Sequence, residues 1–137
     1  MEAWLTWVEC GGWASVPSLR PAEGTHTMEA MSLRLMVDEH LANARAATSG
    51  RSSHTIVGGR DHALRQTVLA LAAGQELADH ESPGEATLQV LVGAVRLTTA
   101  SDAVDVTAGQ IVAIPRERHG LHAHEDSAVL LTVAQVL

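Results

Sequence analysis

The chain has 137 residues and a mass of 14.5 kDa, enough for one domain with a real core. Hydrophobic residues make up 46% against 18% charged, a balance that excludes general disorder. The formal net charge is −7 and all nine basic residues are arginine, so neither nucleic acid nor an anionic membrane is expected as a direct partner.

The first thirty residues differ from the rest. They hold all three tryptophans (Trp4, Trp7, Trp13), the pair Gly11-Gly12, and two prolines, Pro17 and Pro21. With no Phe or Tyr anywhere, everything beyond Trp13 must pack and line any pocket with aliphatic side chains, which argues against stacking on bases or flat cofactors. Residues 1–30 are expected to be a poorly structured extension. The alternatives are an arm that lays its tryptophans on a partner or on the body of the protein, or a working start at Met28, Met31 or Met36. Cys10, the only cysteine, allows no intrachain disulfide. No apolar run approaches the ~18–20 residues of a bilayer span. Glu2 and Glu9 stand where a secretory signal would be basic, so a cytoplasmic location is expected.

Residues 31–50 read as a helix and its stop. Ser32 is a suitable N-cap, and Leu33, Met36, Val37, His40, Leu41 and Ala44 recur at helical spacing up to about Ala47. The stripe is narrow, as for a helix lying across the outside of a sheet. Ser49 and Gly50 end it.

From residue 51 to 137 the period drops to two. Strands are expected near Ser53–Val57, Leu64–Ala72, Glu76–His80, Ala86–Val92, Ala94–Thr99, Val104–Val106, Gln110–Ile114, His119–His124 and Ala128–Val133. Turn residues separate them, among them Gly58-Gly59, Gly74, Pro83-Gly84, Gly93, Gly109 and Pro115. Many short strands at this spacing predict an all-β antiparallel sandwich or barrel.

Two segments carry a more specific signal. In GQELADHESPGEATLQVLVG, Gly74, His80 and Gly93 fall at the spacing of the first cupin motif, G-x5-H-x-H-x3,4-E-x6-G. In GQIVAIPRERHGLHA, Gly109 and Pro115 match the second motif, G-x5-P-x-G-x2-H-x3-N, and His119 arrives one residue early. The chain thus resembles small single-domain cupins of the cupin-2 type over about Leu64 to Val133. The resemblance implies a jelly-roll β-barrel preceded here by one helix, with a divalent metal held inside by three His and one Glu. Position by position, His80 matches the first histidine and His119 the last. Ser82 stands where the second histidine belongs, Ala86 where the glutamate belongs, Glu117 replaces a glycine and Ala123 the asparagine.

Two imidazoles make a poor site for Fe(II), Mn(II) or Zn(II), so the expected cofactor is none or a weakly bound divalent ion. Strand alternation turns Glu85 away from the interior unless the turn before it breaks the pattern, in which case it could join His80 and His119. Glu76 has the parity of His80 but lies about 13 Å along the strand. His122 and His124 should face solvent, and no constellation surrounds His26, His40, His54 or His62. Ser82, Ala86, Leu88, Val90, Ile114 and Leu121 would line a small apolar pocket with imidazoles at one end. The functions that follow are binding of a small molecule there, non-catalytic or sensing; a metal-dependent oxygenase or isomerase with a depleted ligand set; or a structural dimerisation module. A homodimer is expected because edge strands need cover.

Overall fold

Among the described residues, nine strands and one helix follow the turn residues, each within two residues of the boundaries expected from the sequence. The structure is a computed structural model and describes residues 28–81 and 84–135. The expectations for the tryptophans, for Cys10 and for most of the N-terminal extension lie outside the described residues, as does Ser82.

Helix α1 (Leu33–Ala46) leads into β1 (Arg51–Val57), β2 (Leu64–Leu71), β3 (Glu76–His80), β4 (Glu85–Val92), β5 (Ala94–Thr99), β6 (Ala103–Thr107), β7 (Ile111–Ile114), β8 (His119–Ala123) and β9 (Ser127–Ala134). The strand pairings among the described residues are antiparallel, and they form two sheets with strand orders β1-β2-β9-β4-β7 and β3-β8-β5-β6. Sequence neighbours repeatedly cross to the other sheet, the jelly-roll arrangement expected from the strand spacing.

The core lies between the sheets. Leu69 and Leu71 of β2, Leu88 and Val90 of β4, Val129 and Leu131 of β9 meet Leu77, Val95, Leu97 and Leu121 of the opposite sheet. A second apolar cluster lies outside the five-stranded sheet, where Val37, Leu41 and Ala44 of α1 pack on Val68, Ala70 and Ala128. β2 is buried on both faces, which is why it reads as the continuous run Thr67–Leu71.

Local chemistry places these pieces. The Ser32 hydroxyl accepts the Leu35 N–H, capping α1 as expected. At the other end, Arg45 donates through Nε to the Asp126 carboxylate at 2.6 Å, and that carboxylate also accepts the Ala73 N–H at 2.8 Å. One side chain in the β8–β9 turn therefore ties down both the helix end and the β2–β3 turn. Those two donors, Arg45 first, hold the Asp126 carboxyl below the usual carboxylate range.

Gly93, between β4 and β5, has φ +89°, and a Cβ there would collide with the Ser127 hydroxyl and press on the Asp126 carbonyl. Gly109 has nearly the same φ, +87°, with nothing within 4 Å of that position. Both glycines of the sequence pattern are thus demanded by backbone conformation, and Gly93 by close approach as well.

Candidate functional site

The region singled out by the sequence is one end of the space between the sheets. On the five-stranded wall, Ala86 of β4 stands between Ile114 of β7 and Val133 of β9 in register. Ala86 is 7% exposed and points inward, while its neighbours Glu85 and Thr87 do not, as alternation requires. Leu88, Val90, Ile114 and Leu121 join it in the main core cluster. Around Ala86 this wall offers methyl groups.

On the four-stranded wall, β8 brings in His119, which is 0% exposed. Its Nδ1 lies 3.0 Å from the Glu117 carbonyl oxygen. A carbonyl only accepts, so Nδ1 carries the proton and the lone pair of the neutral ring sits on Nε2. The β3–β8 register sets His80 opposite His119. The two histidines chosen by spacing are therefore neighbours across a ladder.

That ladder also places Glu76. The pairing slips between Leu77 and His80, so Leu77 opposes Leu121 while Glu76 opposes His122 on the outer face. Glu76 is thus on the outer face with His122. Its carboxylate lies 3.1 Å from His122 Nδ1. Glu85 is likewise outside: its side chain is 77% exposed and lies 3.7 Å from Arg116. Among the described residues no group of three or more His, Cys, Asp or Glu converges in a way that could hold a metal ion.

His122 and His124 face outward, yet they are partnered rather than simply solvated. His124 Nε2 lies 2.9 Å from Asp105, which also takes both donors of the Arg96 fork at 2.9 and 3.0 Å. Those bonds, Arg96 first and His124 second, hold the Asp105 carboxyl far below its ordinary range. The two rings meet edge to face at 5.3 Å.

Two groupings had no sequence signal assigned to them. His40 of α1 is buried, shares a 2.7 Å hydrogen bond with the Ser52 hydroxyl and stacks on His54 at 5.9 Å. Burial, above all, lowers its pKa; Glu39 opposes that effect and His54 adds to it. The other grouping is on β2, where Arg65 shares the inward parity of Thr67, Leu69 and Leu71 and stands opposite Val133. Its Nε is buried and has no hydrogen-bond partner among the described residues. Parity with Leu69 and Leu71 was the signal that could have found it.

No family model matches the sequence, and no curated protein matches it. Solved structures do. A conserved protein of unknown function from Streptococcus pyogenes is 32% identical, with a TM-score of 0.60 over 66% of this chain and 79% of its own. A cupin superfamily protein from Desulfitobacterium hafniense is 14% identical, with a TM-score of 0.58 over 63% of this chain and 78% of its own. A salicylate 1,2-dioxygenase variant from Pseudoaminobacter salicylatoxidans is 19% identical, with a TM-score of 0.67; it covers 94% of this chain, which in turn spans 41% of the enzyme.

Proposed function

This chain belongs to one family with the Streptococcus pyogenes protein and has the cupin fold, and we propose that it receives a small molecule between its two sheets and does not transform it. The observation that carries this reading is Ala86. The resemblance asks for a carboxylate at that position, and the structure has a buried methyl between Ile114 and Val133. The nearest carboxylate in sequence, Glu85, points to Arg116 outside. The described donor set does not fit a divalent metal, and no chemical step is derived through one. What remains between the sheets is an aliphatic lining with an imidazole at its edge, the composition that suits a small, largely apolar molecule.

A second reading, a metal-dependent enzyme, is supported by His119, which is fully buried opposite His80 with Nε2 as its lone-pair nitrogen when the ring is neutral. Elemental analysis of protein purified without a His tag separates the two. The binding reading expects well under one metal per chain, and a gain of several orders of magnitude in affinity when Ser82→His and Ala86→Glu supply imidazole and carboxylate together. Nearly one equivalent of Fe, Mn, Ni or Zn in the wild type, lost on His80→Ala, would overturn it in favour of the enzyme.

A further inference from the structure

We propose that the tryptophan-bearing segment ahead of Met28 lies on the outer face of β9, β4 and β7, the half of the five-stranded sheet that α1 leaves open. Alternation turns Leu130 and Thr132 of β9, Thr87 and Gln89 of β4, and Ile111 and Ala113 of β7 outward. They stand in the register rows Leu130–Gln89–Ile111 and Thr132–Thr87–Ala113. α1 packs chiefly on β1 and β2. Leu130 is therefore covered only in part, and Ile111, two strands further out, is 63% exposed.

This face carries no charge. None of those six side chains is ionisable, and the next outward residue of β4, Glu85, lies 3.7 Å from Arg116. The other sheet meets water differently, with Glu76, His122, Arg96 and Asp105 in one outward row. A face of Leu, Ile, Ala, Thr and Gln has instead the composition of a contact, which is depleted in charge at its centre.

Size and tethering choose the occupant. Three strands by about four residues make a patch of roughly 14 by 13 Å. A standard stable interface buries ~800 Å² per partner, so a second copy would find too little to hold. One or two indoles, at about 150–250 Å² each, fill such a patch. The chain carries its indoles in Trp4, Trp7 and Trp13, and the run AWLTWV at residues 3–8 contains no charge. Only 14 residues separate Trp13 from Met28. A slack chain of that length spans roughly 20 Å, which is also about the width of five strands. Tethering at that range replaces the affinity that a free partner would need. A covered indole still needs an acceptor for its N–H, and Thr87, Gln89 and Thr132 bring side-chain oxygens beside the methyl groups of Leu130 and Ile111.

The test attaches a nitroxide to Cys10, the only cysteine, in the full chain and reads its amide NMR spectrum. Amides of Gln89, Ile111, Ala113 and Thr132 should lose most of their intensity, and those of Arg96 and His122 on the opposite sheet should keep theirs. Acrylamide quenching of the unlabelled protein reports the same segment alone, because no aromatic side chain other than histidine follows Trp13. It should be several-fold weaker in the folded protein than in urea. Ile111→Glu and Ala113→Glu, both at exposed positions, should restore the amide intensities and the quenching while leaving the rest of the spectrum in place. Broadening centred elsewhere, or tryptophans quenched as readily in the folded protein as in urea, would overturn the proposal. An equimolar mixture of spin-labelled chain and isotope-enriched unlabelled chain should show no broadening of the enriched chain. Broadening there would give the face to a second copy and overturn it as well. Should both glutamate variants fail to fold, the wild-type broadening pattern decides alone.

Discussion

The two sheets solve the problem of their outer faces in opposite ways. The five-stranded sheet presents Val68, Ala70, Ala128, Leu91 and Leu130 outward and hides them under α1. The four-stranded sheet leaves its outer face in water and fills it with polar side chains. Glu76, His122, Arg96 and Asp105 stand in one row across all four strands, and His124 closes on Asp105. The first face is held by burial, which scales with the apolar area removed from water and is not screened by salt. The second is held by ion pairs between half-exposed groups, which contribute little to stability and weaken with salt. Substitutions should therefore be costly on one face and cheap on the other.

The largest effect is expected from a charge placed under the helix. Ala44 is fully buried against Val68, Ala70 and Ala128, with no space and no polar partner in that cluster. Ala44→Glu must bury an unpaired carboxylate or lift α1 from the sheet, at a cost of more than about 3 kcal/mol. Urea denaturation should show a much lower midpoint or an insoluble protein. A loss below about 1 kcal/mol would mean that α1 is not part of the cooperative unit.

The next effect separates two glycines with the same backbone angle. Gly109→Ala meets only the penalty for a left-handed residue, about 1–2 kcal/mol. Gly93→Ala meets that penalty and the collision with Ser127 and Asp126 as well. It should therefore be the more destabilising of the pair in a thermal melt. Equal losses would show that the β8–β9 turn yields freely to the added methyl.

This contrast marks what was legible in the sequence. Gly93 and Gly109 follow from backbone geometry, so a spacing pattern finds them whatever the chain does. The strands, the helix and its Ser32 cap were equally legible, because period and capping are local properties. The inward set Ala86, Leu88, Val90 followed from alternation in an unbroken strand. The slip after Leu77 was not legible, because it lies in the pairing with β8, which one strand's sequence does not contain. His40 and His54 looked solitary because only the docking of α1 on β1 brings them together. Arg65 was overlooked for a different reason. A charged residue in a strand is taken as solvent-facing by default, although its parity with Leu69 and Leu71 said otherwise.

The helix-covered face should also respond to pH, through His40. Burial lowers its pKa in the folded protein, so between that value and the ordinary imidazole value of about 6.5 the unfolded chain binds more protons. Its contribution to stability is complete above about pH 6.5 and is lost as pH falls through the folded value. Denaturation at pH 8 and pH 5.5 should show wild type losing stability and His40→Asn losing less. Asp105 and Asp126, whose folded values are depressed, add their own loss only at more acidic pH, so the two windows are separable. A wild-type stability unchanged between those two pH values would contradict the burial of His40.

The smallest stability effect is expected on the open face, where it comes with a large change in titration. Arg96 and Asp105 are each about half exposed, at 47% and 51% of the side chain, so Arg96→Ala should leave the melting temperature nearly unchanged. The carboxyl of Asp105 will respond nevertheless, because the Arg96 fork is the first cause of its depressed pKa. Followed by carbon NMR, its titration should move back toward the ordinary carboxylate range in Arg96→Ala. It should stop short of that range, since His124 still bonds to Oδ1 at 2.9 Å. Only Arg96→Ala together with His124→Ala should bring the carboxyl all the way. If Arg96→Ala instead costs as much stability as Ala44→Glu, the polar row is a structural element, and the two faces are held by forces of similar size.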